Sequence, residues 1–215
     1  MFQLNLNFFV LLSTFTAVLS MFFVMYSLFV VPFRRASFTF TILSFVIFIM
    51  SLSNIFMLQM MDYQTALSWT YQLVFCIYFM PISLFMFISE FFENWFSKLN
   101  IFLKAMAYLP AVGFVLWTFL SGHINATSSI YGFVIDMPHS DIIDIVYFMP
   151  VYIVIALMIV HEFKKNSKAN KSNRTTTLLL IVVGIFFLAY IIYRLLIAYG
   201  IVITIPVISL LSFFI

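Results

Sequence analysis

Residues 8–31 read FFVLLSTFTAVLSMFFVMYSLFVV and contain no charged side chain. An α-helix rises about 1.5 Å per residue, so about 20 apolar residues cross the roughly 30 Å hydrocarbon core of a bilayer. The stretch lacks the alternation of polar and apolar residues that is typical of membrane β-strands. It therefore predicts a transmembrane helix. We expect this helix to be retained, because it is too long for a signal peptide and no basic residue precedes it.

The whole chain has the same apolar character. Of its 215 residues, 65% are hydrophobic and 8% are charged, and the mean hydropathy is +1.18. A soluble domain of this size would expose a continuous apolar surface, whereas lipid can solvate it. In hydrocarbon the backbone must satisfy its own hydrogen bonds, which leaves helices or closed barrels. The sequence predicts an all-α, polytopic membrane bundle whose partner is the lipid bilayer.

Seven stretches share these properties, and polar or turn-forming residues separate them. The predicted spans are 8–31, 38–57, 67–89, 105–120, 143–160, 176–198 and 201–215. Together they predict one seven-helix domain over residues 1–215. The last stretch would span about 22 Å as a helix, which is shorter than the hydrocarbon core. We expect it to lead into a cytoplasmic domain beyond residue 215; a short, tilted last helix is the alternative.

The placement of lysine and arginine predicts the orientation. Nine of the ten basic residues fall in the first, third and fifth connections, and basic connections lie on the cytoplasmic side. These residues are Arg34, Arg35, Lys98, Lys104, Lys164, Lys165, Lys168, Lys171 and Arg174. The N-terminus is therefore predicted to lie outside, and the C-terminus in the cytoplasm.

Reactive motifs are missing from the sequence. It contains no GxSxG elbow, HExxH pair, P-loop or GxGxxG, so no catalytic residue is predicted. Cys76 is the only cysteine and the three histidines are not at ligand spacing, so we expect no metal. Residues 201–215 lack a lysine for a retinal Schiff base, and no cofactor is expected. The basic stretch 164–174 has no interleaved aromatic residues, so it indicates topology and anionic headgroups rather than nucleic acid.

Arg194 is the one basic residue outside the basic connections. It falls near the outer end of the sixth predicted span, where an arginine can reach the interface. Asp141 and Asp144 are three residues apart at the outer end of the fifth span, which places them on one helical face. Two interpretations stay open: a structural ion pair between these spans, or part of an outward-facing ligand pocket.

Aromatic residues gather at the predicted outer ends of the spans, among them Trp69 and Tyr147. Tryptophan and tyrosine form interfacial belts in membrane proteins without any ligand, so a belt and a binding cage are both open. A pocket, if one exists, is predicted in the outer half between spans three, five and six. Its ligand-binding candidates are Trp69, Asp144, Tyr147 and Arg194.

The order of several features resembles a known family, the N-terminal seven-transmembrane sensor domain of bacterial and archaeal sensor histidine kinases. The third span begins with a tryptophan and leads into PISLFMFISEFF at 81–92. The features that follow are YLP at 108–110, YG at 131–132, the basic connection 164–175, Gly184, Gly200 and Pro206. The resemblance covers almost the whole chain.

This resemblance implies a sensory module in the plasma membrane of a prokaryote. It would detect a small-molecule or membrane stimulus and pass the change through its last helix to a cytoplasmic output domain. That output is usually a dimeric histidine kinase, so a homodimer is implied, and any enzymatic activity would reside outside these residues. The alternative function is a small seven-span transporter, which would need polar or ionisable groups near the midplane.

Overall fold

The computed structural model describes residues 8–32, 34–60, 62–93, 96–122, 124–129, 132–136 and 144–168, together with Thr177 and Gly184. Within these ranges the α-helices are α1 (Phe8–Phe29), α2 (Arg35–Gln59), α3 (Tyr63–Phe91), α4 (Ile101–Met106), α5 (Leu109–Leu120) and α6 (Met149–Lys168). A 3-10 turn covers Phe96–Lys98, and a π-helix covers Asp144–Phe148 directly before α6. Two short strands, β1 (Asn125–Ser129) and β2 (Gly132–Asp136), lie between α5 and the π-helix.

Five helical stretches are long and apolar enough to cross a membrane. They are Val10–Phe29, Arg35–Gln59, Tyr63–Phe91, Ile101–Leu120 and Val146–Lys165. The prediction of apolar helices long enough to span a membrane is thus confirmed for the first five spans. The predicted spans 176–198 and 201–215 lie outside the described ranges, so the count of seven and the orientation stay predictions.

Helix α3 is longer than the predicted span 67–89 because Asp62 caps its first turn. The Asp62 carboxylate accepts hydrogen bonds from the backbone N–H of Thr65 at 2.9 Å and from the Thr65 hydroxyl at 2.8 Å. Such a cap satisfies an amide that the helix itself leaves without a partner. These hydrogen bonds, first the one from the Thr65 amide, lower the pKa of the Asp62 carboxyl below its ordinary value of 3.8.

The fourth span is a broken helix. A turn at Ala107–Tyr108 separates α4 from α5, and Pro110 stands in the first turn of α5. Proline is well placed there, because the first amides of a helix have no partner within it. Helix α5 ends at Leu120, and Gly122 in the turn that follows has a φ of +64°, a backbone conformation that glycine adopts readily.

The loop after α5 contains a β-hairpin that the all-α prediction did not include. Strands β1 and β2 pair antiparallel, with Asn125 opposite Asp136 and Ser129 opposite Gly132. Ile124, immediately before β1, is buried in the main apolar cluster of the bundle. This side chain anchors the start of the hairpin on the helices.

Small side chains form the surface of α1 that faces α2. Its buried residues recur at alternating spacings of three and four, which is one face of a helix. They are Val10, Ser13, Ala17, Ser20, Val24 and Ser27, with Thr16 buried beside Ala17. Small residues let two membrane helices approach closely, and the amide Nδ2 of Asn54 on α2 donates to Ser13 Oγ at 2.9 Å. Large exposed residues such as Phe15 and Val18 occupy the outward face of α1.

Helix α3 lies between two apolar clusters. On one side Leu73 and Cys76 pack with Met50 and Met57 of α2. On the other side the main cluster joins α3 to α5, the π-helix and α6. The central helix of the described bundle is therefore α3, and the candidate site lies on it.

Candidate functional site

Tyr78 lies in the middle of α3 and is completely buried. Its hydroxyl oxygen is 2.9 Å from Oγ1 of Thr118 on α5. The Thr118 hydroxyl itself donates to the carbonyl oxygen of Phe114 at 2.7 Å. Because a hydroxyl carries one proton, Thr118 must accept from Tyr78. The phenol of Tyr78 therefore ties α3 to α5.

A second tyrosine reaches the same turn of α3. The Tyr147 hydroxyl, from the π-helix, donates to the backbone carbonyl oxygen of Tyr78 at 2.7 Å. Three residues further on, Pro81 lies inside α3 and has no N–H to offer to the carbonyl of residue 77. Proline disturbs the hydrogen-bond ladder and bends a helix, which makes carbonyls near it accessible to other donors. We call Tyr78, Thr118 and Tyr147 the tyrosine bridge.

The π-helix explains why Tyr147 faces α3. Buried residues of α6 and its preceding turn recur at spacings of four and three: Phe148, Tyr152, Ile155, Ile159 and Glu162. Tyr147 does not fit that spacing, because a neighbour of Phe148 in a regular α-helix points about 100° away. The wider π turn places both residues against α3, and such turns are frequent at functional sites.

Aromatic rings surround the tyrosine bridge. The rings of Tyr78 and Phe148 stack with centroids 5.8 Å apart, and the Tyr147 ring lies 5.3 Å from that of Phe114. The Tyr152 hydroxyl donates to the sulfur of Met80 at 3.4 Å, which adds a second polar contact between α6 and α3. Aromatic pairs of this geometry contribute stability beyond their buried area.

The tyrosine bridge is neutral and fully packed, so its chemistry is that of a joint between helices. It contains no carboxylate, imidazole or thiol that could transfer a proton or attack a substrate. In the described part of the chain, no group of three His, Cys, Asp or Glu residues could hold a metal ion. The arrangement can hold α3, α5 and the π-helix together, and it can release them again at a moderate energetic cost.

The predicted site residues occupy different places. Tyr147 belongs to the tyrosine bridge, whereas Trp69 stacks on Phe56 of α2 with ring centroids 4.4 Å apart. Nine residues separate Trp69 from Tyr78, which corresponds to a rotation of roughly 180° between them. Trp69 therefore projects from the side of α3 that faces α2, whereas Tyr147 packs on the opposite side.

The remaining candidates depend on parts of the chain that are described only partly or not at all. Asp144 is the first residue of the π-helix, and its side chain is outside the description. Arg194 and Asp141 fall outside the described residues. The ion pair and the outer ligand pocket stay predictions.

Sequence reasoning missed Tyr78 and Thr118. Both stand in apolar runs, VFCIYFMP at 74–81 and VLWTFL at 115–120, which predict membrane helices without distinguishing one face from another. A usable signal was present, because Tyr78 lies one helical turn before a mid-helix proline. A tyrosine hydroxyl near a break in the backbone hydrogen-bond pattern of a helix has carbonyl acceptors within reach.

A group of charged residues lies at the other end of α3. Lys104 of α4 forms an ion pair with Glu90, and these side chains are only 13% and 7% exposed. The Lys104 ammonium also donates to the carbonyl oxygen of Ser97 at 2.6 Å. The same oxygen accepts from Arg35 at the start of α2, at 3.4 Å. We call Arg35, Glu90, Ser97 and Lys104 the charged clamp; the sequence indicated these cations only as topology signals.

No protein-family model matches the chain, and no curated protein matches it significantly. The function must therefore be argued from the geometry of the tyrosine bridge and the charged clamp. The resemblance to sensor domains stays a prediction.

Proposed function

We propose that this chain is a membrane-embedded signal-transducing module, similar to the N-terminal sensor region of a histidine kinase. A stimulus changes the packing of the bundle, and the last helix passes the change to a cytoplasmic output domain. The tyrosine bridge is the observation that supports this proposal. It joins three membrane helices at a place where two of them are irregular, through Pro81 in α3 and through the π-helix before α6.

The energy scale of the tyrosine bridge suits a switch. A neutral hydrogen bond contributes about 1 kcal/mol net, because its partners find others when it breaks. Allosteric ligands typically supply 1–3 kcal/mol of coupling energy. A stimulus that prefers one arrangement of α3, α5 and α6 by about that amount can therefore shift the population of the bundle.

The distribution of buried charge argues for this module over a transporter. Among the described residues, the buried charged side chains are Glu90 and Glu162. Both stand near the C-terminal ends of their helices, and these helices run in the same direction, because Tyr147 contacts Tyr78 and Tyr152 contacts Met80. A transporter needs ionisable or polar groups near the midplane to bind its substrate. In the middle of the described helices the buried polar side chains are serine, threonine and tyrosine hydroxyls, and none of the buried side chains there is charged.

The partners follow from the same proposal. The module acts in the plasma membrane of a prokaryote, as a homodimer whose output domain follows in the same chain. Its stimulus is a small molecule or a property of the membrane.

A chimera tests this proposal. Residues 1–215 are joined to the dimerising and catalytic region of a histidine kinase, with zero to seven extra residues in the helical linker. Each inserted residue rotates the output by about 100°. We expect autophosphorylation in membrane vesicles to rise and fall with a helical period along this series.

Variants of the bridge complete the test. In the most active chimera, Tyr147→Phe removes one hydrogen bond and should change kinase activity about fivefold in either direction. Tyr71→Phe is the matched control, because Tyr71 is exposed on α3 and its ring contact with Phe119 is kept. Constant activity across the linker series, with Tyr147→Phe equal to the parent, would contradict the proposal.

A further inference from the structure

Exposed cations gather where α2 begins and the 3-10 turn follows α3. The hydrogen bond from the Arg35 guanidinium to Ser97 O brings these two segments together. The sequence neighbours of the bonded residues are Arg34 and Lys98, and both are exposed. Three cations from two separate parts of the sequence, Arg34, Arg35 and Lys98, therefore share one surface.

The nearby carboxylates do not balance this surface. Glu90 is engaged by Lys104 within the charged clamp, and Glu93 is exposed in the turn after α3. Four cations and two carboxylates leave a formal charge of +2. The uncompensated charge belongs to Arg34, Arg35 and Lys98.

Exposed apolar residues lie directly beside these cations. Asn100 caps α4 by accepting from the backbone N–H of Phe102 at 3.2 Å. In α4 itself, Ile101 is 82% exposed and Phe102 is 67% exposed. Lys104 points from this short helix towards Glu90, so the apolar side chains occupy its outward face.

From this arrangement we infer a binding site for an anionic phospholipid. The phosphate and anionic headgroup contact Arg34, Arg35 and Lys98, and the acyl chains lie along Ile101 and Phe102. Basic surfaces at the ends of membrane helices attract such headgroups with about 1 kcal/mol per cation. A soluble phosphate would use the cations alone, whereas a lipid also covers the apolar face of α4. This site is independent of the proposed signalling function.

The test uses the purified protein in detergent micelles that contain phosphatidylcholine. Phosphatidylglycerol is titrated in, and its apparent affinity is measured from the rise in the temperature of unfolding. The variant R34Q/K98Q keeps Arg35, which contacts Ser97, and should weaken this affinity roughly thirtyfold. The control K164Q/K165Q removes two exposed cations from the basic stretch 164–174, which attracts anionic headgroups without the adjoining α4 surface, and should weaken the affinity clearly less than R34Q/K98Q does.

Inorganic phosphate at the same concentrations distinguishes a lipid from a free anion, and we expect it to produce no shift. A shift of equal size with inorganic phosphate would overturn the inference. Equal losses in R34Q/K98Q and K164Q/K165Q would do the same, since they would indicate a general effect of charge. An unchanged affinity for phosphatidylglycerol in R34Q/K98Q would also overturn the inference.

Discussion

Helix α3 is fastened to its neighbours at two places that differ in chemistry. The tyrosine bridge at Tyr78 is neutral, aromatic and buried, and it joins α3 to α5 and to the π-helix. The charged clamp at Glu90, about 18 Å further along the helix, joins α3 to α4 and α2 through an ion pair and a shared carbonyl. One helix thus carries a neutral fastening near its middle and a charged one at its end.

The difference in chemistry predicts a difference in mechanical behaviour. Leaving the groups of a buried neutral hydrogen bond without partners costs about 1–3 kcal/mol. A buried charge without its partner costs more, about 3–5 kcal/mol. We therefore expect the bundle to rearrange around the tyrosine bridge while the charged clamp stays closed.

The largest effect should come from the charged clamp. Glu90→Ala leaves Lys104 mostly buried without its carboxylate and should lower the free energy of unfolding in mixed micelles by about 3–5 kcal/mol. Replacing both partners, as E90L/K104M, removes the unpaired charge and should recover most of this loss. Equal losses in the single and double variants would show that the ion pair contributes nothing specific.

The tyrosine bridge should be weaker. Tyr147→Phe keeps the ring contacts and removes only the donor to Tyr78 O, so we expect a loss of about 1 kcal/mol. Tyr71→Phe, measured by the same mixed-micelle unfolding, should be nearly neutral. If Tyr147→Phe cost as much as Glu90→Ala, the proposed contrast between the two fastenings would disappear.

The bond between Asn54 and Ser13 tests whether neutral bonds in this bundle behave alike. A double-mutant cycle with Asn54→Ala and Ser13→Ala isolates the pair from any other contact of either residue. Interhelical hydrogen bonds in membranes average about 0.6 kcal/mol, so we expect a coupling energy of that size. A coupling energy above about 2 kcal/mol would show that the hydrogen bond between Asn54 and Ser13 holds α1 and α2 together unusually strongly.

The smallest effect should occur at Asp62, the cap of α3. Its folded pKa is lowered by the hydrogen bonds from Thr65, so its stabilisation is present above the unfolded value of 3.8 and is lost as the pH falls towards the folded value. The protection of the Thr65 amide against hydrogen exchange, measured relative to its intrinsic rate at each pH, should therefore fall in this acid window. Asp62→Asn preserves the cap and should remove this pH dependence; an unchanged profile would exclude Asp62 as its source.

The sequence predicted the helices better than their contacts. Uncharged runs such as 8–31 are sufficient to indicate a membrane helix, because a single residue property, solubility in lipid, decides it. The sequence did not predict the helix ends at Asp62 and at Ala107–Tyr108, because these ends depend on a local cap and a local turn. The β-hairpin was missed because its strands are short and are anchored through Ile124, which is a tertiary contact.

The candidate site was only partly predictable. Tyr147 was among the candidates, yet its partners Tyr78 and Thr118 were not, because the helical register that brings them together depends on the π turn and on Pro81. Trp69 was grouped with Tyr147 since both stand near outer span ends. The depth of a residue in the membrane, which the sequence indicates, does not reveal on which side of α3 the residue lies.

The central claim is that α3 and α6 move relative to each other at the tyrosine bridge and not at the charged clamp. Pulsed electron double resonance tests it in a background with Cys76→Ala, using spin labels at Ser68 in the N-terminal part of α3 and at Val146 in the π-helix, and at Lys98 and His161 near the clamp. All four positions are exposed. Tyr147→Phe should broaden or shift the first distance distribution and leave the second unchanged, while Tyr71→Phe should change neither. Identical distributions for Tyr147→Phe and the parent at the Ser68–Val146 pair would contradict the account.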